Sequence, residues 1–278
     1  MSSEDEKDSI STANTERVVK RGRPIGSKNA PQDQPDWTHV LNAIFNQAGL
    51  ILSVGKSRQG KSYLVRYLLY NGLTNSLQID PTRLFKFGVV FCGSRNMNSD
   101  YSSFLPENCI HDYSDESLQK YVQMLTKQKE KLKSEGKEDQ MPASFIVFDD
   151  ILGQLTRSKY TTSFFSLYRH LNITVFLNSQ YLASDASSTL VRQQTTVGFF
   201  FKCSNAKGVK LIHEWFGNAS QLDYKDFNRK FNAITKIPFN AMVYIDHENR
   251  PSFNYLAFEA PEGFKPARIS FQTTKQQA

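Results

Sequence analysis

The chain has 278 residues and a mass of 31.8 kDa, and 39% of its residues are hydrophobic, which is enough to bury one substantial core. Lys and Arg number 34 against 27 Asp and Glu, so the formal net charge of +7 is compatible with a polyanionic partner without proving one. No apolar run approaches the ~18 residues of a membrane span, and the first residues are acidic, so we expect neither an integral membrane protein nor a secretory signal.

Residues 1–34 are predicted to be a disordered leader, because their polar composition buries too little apolar surface to offset the entropy of ordering. Inside this leader lies a basic motif, Arg21-Gly22-Arg23-Pro24. The motif resembles an AT-hook, in which Gly and Pro keep the backbone thin and the arginines enter the narrow minor groove of A·T-rich DNA. It occurs once, and it has Ile25 where a basic residue is usual. A nuclear-localisation patch and a solvated charge run are the competing interpretations.

Residues 35–260 have the pattern of one domain in which strands alternate with helices. Apolar residues at helical spacing begin at Trp37, and Gly49 suits the end of that helix. Five apolar segments are predicted to be strands: Leu50–Val54, Phe87–Phe91, Phe145–Phe148, Ile173–Leu177 and Val197–Phe201. Helices are predicted between them at Lys61–Tyr70, along the stripe Leu118–Leu132, and at Tyr160–Leu171. This alternation indicates a three-layer α/β fold with a mostly parallel central sheet.

The end of the domain departs from this alternation. Two helices and then two strands are predicted there, at Val209–Phe216, Tyr224–Ile234, Ala241–Ile245 and Phe253–Phe258. A turn around His247–Arg250 joins the two strands, so we expect them to extend the sheet as an antiparallel hairpin. Residues 261–278 are polar and are predicted to form a loose tail.

The clearest chemical signal is a phosphate-binding loop that matches G-x-x-x-x-G-K-[ST]: Gly55-Lys56-Ser57-Arg58-Gln59-Gly60-Lys61-Ser62. The glycines let backbone N–H groups curl around phosphate oxygens, and the following helix presents its positive end to the anion. Lys61 is expected to reach the β- and γ-phosphates, and the hydroxyl of Ser62 is expected to bind Mg²⁺. An apolar strand precedes the loop and a helical stripe follows it, which is the context that this motif requires.

Two acids, Asp149 and Asp150, follow the third apolar strand. A strand that is apolar on both faces lies inside the sheet, so its carboxyl end opens at the ligand-binding edge. We expect Asp149 to hold Mg²⁺ and Asp150 to polarise the attacking water. The second position is more often Glu, and Asp is also common in turns, so the role of Asp150 is the less secure of the two.

The fourth strand ends in Asn178-Ser179-Gln180, where an amide could lie between the acids and the γ-phosphate. We assign this sensing role to Gln180, with Asn178 as the alternative; a polar strand end that only faces water would look the same. An arginine from a neighbouring subunit would stabilise charge in the transition state, and Arg169 and Arg192 are the candidates. Arg58 is a third, and each could equally be an ordinary surface or structural arginine.

Together these motifs resemble the FtsK–HerA superfamily of P-loop ATPases. The resemblance covers residues 48–205 and is carried by the phosphate loop, the paired acids, Arg192, and the stretch from Arg169-His170-x-Asn172-Ile173 to Gln180. Within the superfamily, the chain is most similar to the genome-packaging ATPases of large eukaryotic DNA viruses, virophages and Polinton-type elements.

This resemblance implies a five-stranded core of the ASCE type in the order 5-1-4-3-2. It further implies ATP and Mg²⁺ as cofactors, a homo-oligomeric ring of six or five subunits, and movement of double-stranded DNA into a preformed capsid, with capsid or portal proteins as possible partners. The expected location is the virion or the site of virus assembly in the cytoplasm or nucleus. Three widely separated cysteines argue against a disulfide framework or a zinc site and fit a reducing compartment.

Three other functions compete with this interpretation. A cellular translocase of the HerA kind would usually carry extra domains, and we expect this chain to have no room for a large one. A nucleotide-gated DNA-binding protein without turnover would not need the intact Lys61, Ser62, Asp149 and Asp150. A nucleotide or metabolite kinase would need a lid and an acceptor site, and the sequence shows neither motif.

Overall fold

A computed structural model describes residues 37–75, 77–93, 98–182, 186–246, 252–254 and 268–269. All of them belong to one compact unit of the chain, Asp33–Ala278. The leader with its Arg21–Pro24 motif lies outside the described residues. So do the turn at 247–250, residues 255–258 of the last predicted strand, and the tail apart from residues 268–269.

The described residues form α-helices and strands in alternation. The helices are α1 (Trp37–Phe45), α2 (Lys61–Thr74), α3 (Asn98–Ser102), α4 (Asp115–Ser134), α5 (Leu152–Leu155), α6 (Thr161–Leu167), α7 (Ala186–Gln194), α8 (Ala206–Phe216) and α9 (Tyr224–Thr235). The strands are β1 (Leu50–Val54), β2 (Phe87–Cys92), β3 (Ile110–Asp112), β4 (Ser144–Asp149), β5 (Ile173–Ser179), β6 (Thr195–Phe200), β7 (Met242–Ile245) and β8 (Ser252–Asn254). Short 3-10 turns occur at Pro81–Arg83, Glu107–Cys109, Glu138–Gln140 and Gly217–Ser220.

The strands form one sheet in the order β3-β2-β4-β5-β1-β6-β7-β8. The five strands predicted from the sequence correspond to β1, β2, β4, β5 and β6, so their observed order is the expected 5-1-4-3-2. These five are parallel to their neighbours, and β7 and β8 add the expected antiparallel pair. The three-residue β3, which the sequence analysis missed, extends the other edge beside β2.

Both faces of the sheet are covered by helices. Side chains of β1 alternate between two hydrophobic clusters, with Leu50 and Leu52 on one face and Ile51 on the other. Apolar residues of α4, α6, α8 and α9 pack on the first face, whereas α1 and α2 supply the second. Because the five parallel strands β1, β2, β4, β5 and β6 are buried on both faces, the chain can offer polar side chains to a ligand mainly where these strands end.

The predicted helix at Tyr160–Leu171 ends earlier in the structure, at Leu167. Asn172 adopts a left-handed backbone with φ of 52°, and the N–H of Ile173 donates to the carbonyl of Tyr168. This closing turn leads the chain directly into β5. Among the described residues, no helix combines the length and apolar character needed to cross a membrane.

Candidate nucleotide-binding site

The predicted phosphate loop, Gly55–Ser62, connects the carboxyl end of β1 to α2 in the middle of the sheet. Its first residues are fixed to the strands on either side. The N–H of Gly55 donates to the carbonyl of Ser179 at 3.2 Å, and the N–H of Lys56 donates to the carbonyl of Lys202 at 3.0 Å. The loop therefore starts from a defined position between β5 and β6.

Both glycines of the loop are required by the geometry. A Cβ on Gly55 would lie 2.6 Å from Cβ of Phe201, which is closer than two non-bonded carbon atoms can approach. Gly60 has a left-handed backbone with φ of 97° and stands at the N-terminal cap of α2. The sequence pattern therefore marks the two positions at which a side chain would be excluded or strained.

Lys61 bridges the loop from inside. Its Nζ donates to the carbonyl oxygens of Gly55 at 2.6 Å and Lys56 at 3.0 Å, and the residue is only 9% exposed. Burial lowers the pKa of Lys61, whereas the negative charges of Asp149 and Asp150 act in the opposite direction. The ammonium group thus lies between the loop carbonyls and the two acids at the end of β4.

Asp149, the last residue of β4, is 1% exposed and is held by three side chains. The hydroxyl of Tyr101 donates to Oδ2 at 2.7 Å, the amide of Asn178 donates to Oδ1 at 3.2 Å, and the hydroxyl of Ser62 lies 3.5 Å from Oδ1. Burial raises the pKa of Asp149, the charge of Asp150 adds to the rise, and these hydrogen bonds oppose it. The structure therefore brings the predicted metal ligands Ser62 and Asp149 together.

Asp150 is exposed and has a left-handed backbone with φ of 58°. Its carboxylate accepts a 2.7 Å hydrogen bond from Nε2 of Gln180, and its N–H donates to the carbonyl of Asn178. The two amides considered for sensing thus have different partners: Asn178 contacts Asp149, and Gln180 contacts Asp150. The parallel pairing of Asp149 with Asn178 across β4 and β5 places both pairs at one sheet edge.

Two of the candidate arginines lie where strands begin, at the opposite end of the strands from the phosphate loop. Arg169 precedes β5, where its guanidinium donates to the hydroxyl of Tyr168 at 2.8 Å and to the carbonyl of Gln194 at 3.1 Å. Arg192 is exposed in the last turn of α7, just before β6 begins. Because β5 and β6 run parallel to β1, both arginines lie far from the phosphate loop of their own chain. Arg58 is exposed within the loop.

Tyr101 is the contact that the sequence analysis missed. It lies on the short helix α3, is fully buried, and reaches Asp149 across 48 positions of sequence. Arg66 of α2 forms an ion pair with Asp100 at 3.7 Å, which links this helix to the one after the phosphate loop. A single tyrosine in a polar segment carries no periodic or motif signal, so only the folded chain could identify it.

The donor set fits a magnesium ion. A hydroxyl and a carboxylate are oxygen ligands of the kind that Mg²⁺ prefers, and Mg²⁺ at phosphate sites is held by few protein ligands together with substrate oxygens. Oδ1 of Asn178 is buried beside them and has no hydrogen-bond partner among the described residues. The same residues contain no cluster of three or more His, Cys, Asp or Glu that could hold a metal without a substrate.

Comparisons with known proteins give a family and several relatives. The family described as "Poxvirus A32 protein" matches residues 40–206. Uncharacterized protein 075L of Invertebrate iridescent virus 6 is 29% identical over 61% of this chain and 61% of its own length. Uncharacterized protein L437 of Acanthamoeba polyphaga mimivirus is 29% identical over 47% of this chain and 44% of its own. The chain therefore spans less than two thirds of either curated relative.

A solved structure is also similar to this fold. It is B204, the DNA-packaging ATPase from Sulfolobus turreted icosahedral virus, with 13% identity and a TM-score of 0.49 over 77% of this chain and 100% of that chain. The family match is the stronger finding, because it covers well over half of the chain and includes the phosphate loop, both acids, Gln180 and the two arginines after β4. The chain accordingly belongs to the poxvirus A32 protein family, which confirms its expected place among viral P-loop ATPases of the FtsK–HerA superfamily.

Proposed function

We propose that the chain hydrolyses ATP and uses the energy to move double-stranded DNA, packaging a viral genome into a capsid. The observation that carries the proposal is the convergence of Lys61, Ser62, Asp149 and Asp150 at the edge where β1 and β4 end. Membership of the A32 family supports the viral setting. The substrate, the capsid and the ring remain parts of the proposal.

Nucleotide binding would begin at the phosphate loop. The ammonium of Lys61 now bonds with two neutral carbonyls, and a phosphate oxygen is a stronger acceptor for a buried cation. The N-terminal end of α2, a helix of 14 residues, directs the positive end of its dipole to the same place. The β- and γ-phosphates would therefore bind where Lys61 and the helix end act together.

Ser62 and Asp149 would hold Mg²⁺, which when bound neutralises charge on the phosphates. Asp149 suits this role because Tyr101 and Asn178 fix both of its oxygens, so little reorganisation is needed on binding. Asp150 suits a different role, because its carboxylate is exposed where water can reach it. Gln180 orients that carboxylate, and the same amide could respond to the γ-phosphate.

The motor part of the proposal needs assembly and DNA. A ring of six or five subunits would place Arg169 or Arg192 of one copy beside the nucleotide of the next, which neither residue can reach within its own chain. The Arg21–Pro24 motif would bind the minor groove of A·T-rich DNA, and the net charge of +7 favours binding to a polyanion. Capsid or portal proteins would be further partners at the site of virus assembly.

The experiment that tests this function measures steady-state ATP hydrolysis with and without linear double-stranded DNA. Lys61→Ala and Asp150→Asn are expected to abolish hydrolysis, and DNA is expected to stimulate the unsubstituted protein. Lys127→Ala and Asp139→Asn, which change exposed residues outside the site, are the matched controls. DNA-independent turnover would favour the kinase interpretation.

Two further outcomes separate the alternatives. ATP binding without turnover under any condition would favour a nucleotide-gated DNA-binding protein and remove Asp150 as a base. Failure of the unsubstituted protein to bind ATP would refute the central claim. Packaging itself is tested by adding preformed capsids: DNA protected from nuclease inside them would distinguish a packaging motor from a HerA-like cellular translocase.

A further inference from the structure

The loop between α9 and β7 lies beside the phosphate loop. β7 runs antiparallel to β6, with Met242 opposite Phe200, so the chain enters β7 at the edge where β6 ends. Phe201, the next residue after β6, is the residue that packs against Gly55. Residues 236–240 therefore approach the nucleotide site from the side opposite to the acids, which follow β4.

Phe239 borders the phosphate loop at Gly60. A Cβ built on Gly60 would be 3.3 Å from Cδ1 and 3.8 Å from Cβ of Phe239. The residue is 52% exposed, although Asn240 and Ala241, which follow it, are buried. One side of the ring thus borders the loop while about half of the residue remains open to solvent.

The backbone of Phe239 is also unusual. Its φ is 66°, in the left-handed region that side chains with a Cβ rarely adopt. Phe239 is the third residue of a turn that has Pro238 in second place and is closed by a 3.3 Å hydrogen bond from the N–H of Asn240 to the carbonyl of Ile237. Such a turn favours Gly or Asn at this position, so it does not itself call for a half-exposed phenylalanine. A bulky aromatic residue at this turn position, half exposed and bordering Gly60, indicates that the ring is placed there for a ligand.

We propose that Phe239 is the stacking platform for the nucleobase of the triphosphate that binds at Gly55–Ser62. The inference rests on the proposed nucleotide binding, because ribose links base and phosphates and confines the base to the neighbourhood of the loop. An aromatic ring stacks on the flat face of any base and forms no base-specific hydrogen bond. The platform therefore accepts nucleotides with little discrimination between bases.

The test compares a ligand that has a base with one that does not. Dissociation constants for ATP and for inorganic tripolyphosphate are measured at the same free Mg²⁺ concentration. Phe239→Ala is expected to weaken ATP binding by about 5- to 150-fold and to change tripolyphosphate binding less than about twofold. Ile237→Ala is the matched control, since Ile237 is equally exposed at 55% in the same loop and should leave both constants unchanged.

Conservative variants separate stacking from loop packing. Phe239→Trp and Phe239→Tyr should retain ATP affinity, and the tryptophan should be quenched by ATP but not by tripolyphosphate. Phe239→Leu should lose affinity although it stays apolar. Equal losses for both ligands, full affinity with leucine, or a changed oligomeric state would each overturn the platform and indicate a packing or subunit-contact residue.

The result also distinguishes this inference from the proposed function. If ATP binds in a Lys61-dependent way and Phe239→Ala leaves its affinity unchanged, only the platform is wrong. If ATP does not bind to the unsubstituted protein, both fail. Retained tripolyphosphate binding shows that a variant is folded. If Phe239→Ala does not fold, the comparison of Phe239→Tyr with Phe239→Leu tests stacking instead.

Discussion

Replacing Tyr101 with phenylalanine removes one hydroxyl from the site and leaves the aromatic ring in place. That hydroxyl donates to Oδ2 of Asp149 over 2.7 Å, and both side chains are almost wholly buried. A hydrogen bond to a charged group contributes about 1.5–3 kcal/mol, and here water cannot replace it. We expect Tyr101→Phe to lower the free energy of unfolding at neutral pH by about that amount, measured by urea denaturation.

The same substitution changes the proton affinity of Asp149. Burial raises the pKa of Asp149 and the hydrogen bond from Tyr101 opposes the rise, so the pKa should rise further in Tyr101→Phe. A carboxyl whose pKa is raised by folding stabilises the fold while it is protonated and loses that contribution as pH increases. The difference in the free energy of unfolding between Tyr101→Phe and the unsubstituted protein should therefore become smaller at low pH. The acid limb of ATP hydrolysis should move to higher pH in Tyr101→Phe, because a protonated carboxyl binds metal poorly.

A second tyrosine supplies the control for this experiment. The hydroxyl of Tyr113 also donates to a carboxylate, that of Asp115, over 2.7 Å, but it lies outside the nucleotide site. Tyr113→Phe should leave the acid limb of hydrolysis in place, whatever its effect on stability. The reasoning would be refuted if Tyr101→Phe lost stability without moving the acid limb, because Tyr101 would then only support the fold.

Three other substitutions test separate parts of the site. Gly55→Ala should weaken ATP binding by about 5- to 150-fold in a titration, because the new Cβ would lie 2.6 Å from Phe201 and displace the loop; unchanged affinity would mean that the loop adapts. Gln180→Glu places a second negative charge against Asp150 and should slow hydrolysis by about 10- to 100-fold, with ATP affinity retained; a loss confined to affinity would contradict the orienting role. Arg192→Ala should lower hydrolysis only in the assembled protein, which a concentration series of the specific activity would detect; an equal loss at all concentrations would exclude action between subunits.

The sheet could be predicted from the sequence because its signals are local. The five inner strands are short apolar runs, and a strand buried on both faces needs no other pattern. Three of the missed elements lack such signals. Strand β3 has three residues with largely exposed side chains, and helices α3 and α5 are too short to show a helical period.

The candidate site could be predicted only where a motif specifies it. The phosphate loop has a fixed spacing and the acids follow an apolar strand, whereas only its place at a strand end predicts a role for Gln180. Tyr101 and Phe239 reach the site from elements far away in the sequence, and each looks like an ordinary aromatic residue in a chain with 21 Phe and 12 Tyr. What reveals them is a buried hydrogen bond in one case and a half-exposed aromatic residue on a left-handed backbone in the other.

The contacts of Arg169 and Arg192 within the chain help to choose between these two candidate arginines. Arg169 has a structural explanation: it stacks over the ring of Tyr168 and donates to the carbonyl of Gln194 at the C-terminal end of α7, where a cation stabilises the helix. Withdrawing it to serve a neighbouring subunit would break those contacts. Arg192 is exposed in the last turn of the same helix and would keep the fold intact if its side chain turned outwards. If one subunit presented the last turn of α7 to the phosphate loop of the next copy, Arg192 could reach that site without breaking contacts within its own chain of the kind that Arg169 would lose. We therefore favour Arg192 for the role between subunits.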